Sequence, residues 1–139
     1  MSPREAADRL FNRVMIADEQ GRDSEVSQLA PMAIAAYDRL ESLDLDAIYH
    51  VGLIQAANGD AKAADEAIER LRAIVPNHLL ATLLDYRMAT EANDQARAER
   101  AIERFKSHYE DEILIDRPEY RHHRLQIDMF RQQAGLTGG

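Results

Sequence analysis

Apolar residues recur at helical intervals along most of this chain, and one block of the pattern occurs twice. Asp60 to Leu71 reads D-A-K-A-A-D-E-A-I-E-R-L, and thirty-four residues later Asp94 to Phe105 reads D-Q-A-R-A-E-R-A-I-E-R-F. Ala64, Ala67, Ile68, Leu71 and Ile74 advance by threes and fours, as do Ala98, Ala101, Ile102 and Phe105, which puts each set on one face of a helix. A fainter copy lies one period earlier: Ala30, Ala33 and Ile34 precede Ala64, Ala67 and Ile68, and Tyr37 and Leu40 stand where Leu71 and Ile74 will stand. A fixed period of this size predicts stacked helix pairs, because one pair alone cannot bury its apolar face. Ile68, Leu71, Ile74, Ile102 and Phe105 are therefore expected in the core, while Glu69, Arg70, Glu103 and Arg104 face water mostly.

Capping signals divide the pattern into helices. Ser2-Pro3-Arg4-Glu5 is a capping box, and the helix it opens carries Ala6, Leu10, Val14 and Ala17 beside Phe11 and stops before Gly21. Asp23 or Ser24 opens the second helix, in which Pro31 either makes a kink or marks a start nearer Ser27. Asp44 or Asp46 opens the third, which ends at Asn58-Gly59. Asp60 caps the fourth, Asn77 the fifth and Asp94 the sixth. Asp116-Arg117-Pro118-Glu119 is a second capping box, opening a terminal helix that runs to about Gln133. The reading is a single all-α domain over 1–139, with hairpins at about 2–43, 44–76 and 77–112 and a capping helix at about 117–134.

These hairpins resemble the tetratricopeptide repeat family. Gly52 matches its small helix-contact residue, Gly59-Asp60 its inter-helix turn, Ala64 its second small contact, Ile68 and Leu71 its packing positions, and Pro76 the proline that closes each repeat. The third copy keeps Asn93-Asp94, Ala98, Ile102 and Phe105 but departs at Tyr86 and Glu110, and the first departs at Asp18 and Ser42. The resemblance implies a right-handed superhelix of about seven antiparallel helices, with the first helix of each hairpin lining a concave groove. On this chain that groove is Asp46, Tyr49, Leu53 and Ala56, then Leu80, Leu83, Arg87 and Thr90. Tyr49, Leu53, Leu80, Leu83 and Arg87 are the implied partner-binding residues, and the implied function is non-catalytic binding of a peptide or helix of another protein. Family members that grip an acidic carboxyl terminus use Lys and Asn where this chain has Asp46, Tyr49 and Leu83, so that role is disfavoured. Self-association into a homodimer through the same surface is the alternative.

Charge and composition narrow the rest. The 139 residues carry a formal net charge of −8, which opposes binding to nucleic acid. There is no cysteine, so disulfides and thiolate chemistry are excluded. No apolar run approaches the roughly 18 residues of a membrane span, and no signal-peptide pattern opens the chain. A cytoplasmic protein is the expectation, although a trimmed domain of a longer chain is equally readable. Glu119, His122 and His123 have the spacing of a metal-binding helix, but a di-iron bundle needs a second such motif, and His123 also falls on the packing seam Tyr120, His123, Ile127, Phe130, Ala134. Neither a cofactor nor an enzymatic activity is expected. Arg121, Arg124 and Arg131 form a basic stripe on the last helix, read either as the polar outer face of a terminal cap or as a docking stripe for an acidic partner.

Overall fold

A computed structural model describes residues 1–136, and among these the chain is helical with no strand, as expected for an all-α protein. The helices are α1 (Pro3–Glu19), α2 (Asp23–Asp38), α3 (Leu45–Ala57), α4 (Ala61–Ile74), α5 (Leu79–Glu91), α6 (Gln95–Ile113), α7 (Pro118–His122) and α8 (Arg124–Gln133). The chain divides into two compact units, Met1–Ala67 and a second that begins at Ile68.

The thirty-four-residue period reappears in the local geometry. α3 and α5 start thirty-four residues apart and have the same length of 13 residues. Each ends in a residue with positive φ, Gly59 at 78° and Asn93 at 55°. In both turns the following aspartate closes the helix end, Asp60 N–H reaching Gln55 O at 2.9 Å and Asp94 N–H reaching Ala89 O at 2.8 Å. The same two aspartates then cap the next helix: Asp60 Oδ1 accepts from Ala63 N–H at 3.1 Å, and Asp94 Oδ1 from Arg97 N–H at 3.0 Å. Each aspartate thus ends one helix with its backbone and starts the next with its side chain. A Cβ at Gly59 meets nothing within 4 Å, so only the backbone resists substitution there. Gly59→Ala is expected to cost about 1–2 kcal/mol in chemical denaturation, the left-handed penalty for an L-residue, while Asn93→Gly should be neutral or slightly stabilising. Equal stability of Gly59→Ala and the parent would remove the turn from this account.

In the first unit α1 packs along α2, and α3 lies against both. Ala7, Val14, Ala17, Ala30, Ala33 and Tyr37 have no exposed surface, so small residues set the close approach of the helices. Pro31 sits inside α2, which begins at Asp23 rather than near Ser27. Both Pro31 and Ser27 are exposed, and Pro31 cannot supply the N–H that the Ser27 carbonyl would accept in an unbroken helix.

In the second unit α5 runs along α6, and α8 packs against α5. Three expectations need correction here. Ile74 is 60% exposed, because the α4 seam steps from Leu71 to Val75 rather than to Ile74. Ile102 is only half-buried, since the α6 seam runs through Ala101, Phe105 and Tyr109 and leaves Ile102 at its side. The terminal helix is two helices: His123, at φ −117° and ψ 28°, separates α7 from α8. The expected seam survives the bend, with Tyr120, His123, Ile127, Phe130 and Ala134 all buried.

Candidate functional site

The second unit holds a cleft of about 470 Å³ between α6 and α8. Lys106, Tyr109, Glu110 and Ile113 line one side, at the i, i+3, i+4 and i+7 positions that share a face of α6, and Leu114 continues that wall. Arg124 and Arg131, two turns apart on α8, form the other side. Leu136 closes the end: Gly135, at φ 85°, turns the chain back so that Leu136 N–H bonds Arg131 O at 3.1 Å.

Aromatic packing fixes the distance between the two helices. Phe130 of α8 stands edge-on to Phe105 of α6 at 4.8 Å and to Tyr86 of α5 at 5.1 Å, and Phe105 meets Tyr109 at 5.2 Å. The Arg131 guanidinium lies 5.1 Å from the centre of the Tyr109 ring. Its Nε is buried and has no hydrogen-bond partner. Arg124 is paired with Asp128 at 3.1 Å, and Lys106 stands 4.0 Å from Glu103.

A buried polar network anchors the chain ahead of α8. His78, rather than Asn77, is the cap of α5: its Nδ1 accepts from Leu80 N–H at 3.2 Å. That acceptor role leaves the hydrogen on Nε2, which donates to Glu119 Oε2 at 2.6 Å. Burial works to raise the Glu119 carboxyl, but the His78 bond, a backbone N–H and the Arg117 charge outweigh it and hold the group below its ordinary value. Tyr120 Oη accepts from Leu79 N–H at 2.9 Å and donates to Glu112 Oε1 at 2.6 Å, where Arg117 Nε also bonds at 3.1 Å. Burial and the Glu112 carboxylate raise the Tyr120 phenol, keeping it a donor. Glu119 is therefore turned to His78, while His122 is exposed.

The first unit holds a second network. Arg4 bonds Asp8 at 3.0 Å, Asp44 at 2.9 Å and Asp46 at 3.2 Å, joining α1 to the first turn of α3. Tyr37 Oη donates to Asp8 Oδ1 at 2.6 Å and stands 2.8 Å from His50 Nδ1. Burial, then the bond and charge of Asp8, raise the Tyr37 phenol, so its hydrogen stays on the oxygen and His50 Nδ1 is the donor to it. The His50 ring stacks on Phe11 at 3.8 Å, and its Nε2 is 3.3 Å from Asp46. Tyr37 is fully enclosed and His50 only 6% exposed, so this chain of acid, phenol and imidazole binds helices together and leaves no open ground for a substrate.

The residues implied by the family resemblance fall on two helices. Tyr49 and Leu53 are on α3, with Tyr49 3% exposed; Leu80, Leu83 and Arg87 are on α5, with Leu80 fully buried. Tyr49 and Leu80 are thus buried, while Leu53, Leu83 and Arg87 are half-buried, and Arg87 bonds Glu91 at 3.2 Å. Of the basic stripe, Arg124 and Arg131 line the cleft and Arg121 turns to Asp116 at 3.0 Å. The α6 wall is not among the sequence-predicted residues, although its i, i+3, i+4, i+7 spacing is visible in the sequence.

No protein-family model matches the chain, and no curated protein or solved structure shows significant similarity to it.

Proposed function

We propose that this chain is a tetratricopeptide-like array of helical hairpins that acts without catalysis, binding a segment of another protein in the α6–α8 cleft. The observation that carries this reading is the cleft itself: an open recess whose lining sets the apolar Ile113, Leu114 and Leu136 beside the charged Lys106, Arg124 and Arg131. The two polar networks offer no comparable opening, since their hydrogen bonds run between helices of the fold. Leu114, 82% exposed on the cleft wall, is the kind of apolar side chain a partner covers. The working surface in this reading does not include Tyr49 or Leu80. The repeated caps at Asp60 and Asp94 support the repeat part of the reading.

The test is a photo-crosslinking residue placed at Leu114 and, as control, at Glu69, an exposed position on α4. In the cells that make the protein, the Leu114 position is expected to yield an adduct with a different protein that the Glu69 position does not. Adducts with a second copy of the chain alone would replace this reading with the homodimer, and equal labelling at both positions would end it.

A further inference from the structure

We infer that the α6–α8 cleft takes an acidic, amphipathic segment, with a carboxylate seated on Arg131 and Lys106 and apolar side chains laid against Ile113, Leu114 and Leu136. The inference rests on the binding reading above and gives the partner its chemistry.

Charge is the first argument. The whole chain is acidic at −8, yet this cleft is lined by Lys106, Arg124 and Arg131 against Glu110 alone. Such a local reversal draws an anionic group to one place on a surface that otherwise repels it. Arg124 already shares its charge with Asp128, and Lys106 has only a long, exposed contact with Glu103. Arg131 has no carboxylate partner among the described residues; its guanidinium is held over the Tyr109 ring at 5.1 Å. An arginine fixed by a ring has lost its side-chain freedom before any ligand arrives, so binding a carboxylate there orders little more.

Shape is the second argument. The α6 wall from Lys106 to Ile113 extends for about 10 Å, two turns of helix, and its far end is apolar. A bare inorganic anion leaves Ile113, Leu114 and Leu136 unused. A single acyl chain leaves much of Leu114 wet, since that side chain is 82% exposed. A peptide segment that sets one acidic residue a turn away from leucine-like side chains matches both ends, in the helix-in-groove manner.

The probes are a synthetic peptide of roughly 15 residues, long enough to sustain a helix, with glutamates and leucines on one face, its Glu→Gln counterpart, and laurate. Binding is followed by fluorescence anisotropy of labelled peptide and by amide NMR shifts of the full chain. The acidic peptide is expected to shift Tyr109, Ile113 and Arg131, and to bind roughly tenfold more tightly than the Gln peptide. Arg131→Gln and, separately, Lys106→Gln should each weaken it by a similar factor. Lys106 is the safeguard against a folding artefact, because it is exposed and takes part in no core contact. Equal affinity for the two peptides, shifts centred on α5, or laurate occupying the cleft and excluding the peptide would overturn the inference. If Leu114 crosslinks another protein undiminished in an Arg131→Gln, Lys106→Gln double variant, the carboxylate is wrong and the binding reading stands.

Discussion

His78→Leu is expected to lose about 3–5 kcal/mol of stability at neutral pH, the cost of leaving a buried carboxylate without its partner. The imidazole serves two groups at once, accepting from Leu80 N–H and donating to Glu119, so leucine removes a helix cap and strands an acid that is 4% exposed. His78→Asn should recover about 1 kcal/mol by restoring the cap alone. The pH dependence carries the sign of the interaction. Glu119 is held below its ordinary value in the folded protein, so its contribution is full above the unfolded value of 4.5 and disappears as pH falls through the lower, folded one. In His78→Leu burial is no longer opposed by that bond, and protonation of Glu119 relieves part of the penalty. The gap between parent and variant is therefore largest near neutrality and narrows as pH falls toward and through the ordinary carboxyl value of 4.5. Urea titrations across this range decide it; a gap constant with pH would remove Glu119 from the account.

Phe130→Ala is the second large effect, at about 3–5 kcal/mol for truncating a buried ring. Phe130 holds α8 through Phe105 and Tyr86, and Arg131 beside it depends on that seating to reach Tyr109. The variant should lose affinity for the acidic peptide as well as stability. Met129→Ala, one residue away but 61% exposed, should change stability by less than about 0.5 kcal/mol. Near-equal effects of the two substitutions in thermal denaturation would mean that α8 is not docked through this face.

Several helix boundaries were legible because their signals are local, although the capping box read at Asp116 is not formed: the cap of α7 is Arg117, which makes no side-chain cap bond, and Glu119 turns to His78. A capping box at Ser2, aspartates at Asp60 and Asp94, and left-handed residues at Gly59 and Asn93 act over a few residues, and the structure uses them where the sequence put them. The two turns at Gly59-Asp60 and Asn93-Asp94 were legible for the same reason, since each is set by a left-handed residue followed by a capping aspartate. Errors arose where a distant partner decides. Asn77 has the better capping side chain, but His78 takes the role because Glu119, 41 residues later, holds its other nitrogen. The apolar pattern around Ile74 leaves one helical step undetermined, and Val75 supplies it. The terminal helix reads as continuous, yet it is pinned at Glu119 and Tyr120 on one side and at Phe130 on the other, and it bends at His123 between those anchors. The cleft was half legible: Arg124 and Arg131 stood out as cations, while the facing α6 wall emerges only when the bent α8 is packed on it.

The first turn of α5 cannot be completed from its own neighbourhood. Leu79 N–H finds its acceptor on Tyr120, which the ribosome adds 41 residues later. Until α7 arrives, that donor must be met by water, and the start of α5 has no reason to persist when buried. The second unit therefore orders its beginning and its end in one event, with a loop-closure cost met before either helix terminus is secure. Its folding is expected to be all-or-none, and a nascent chain halted before Tyr120 would hold α5 with a frayed first turn.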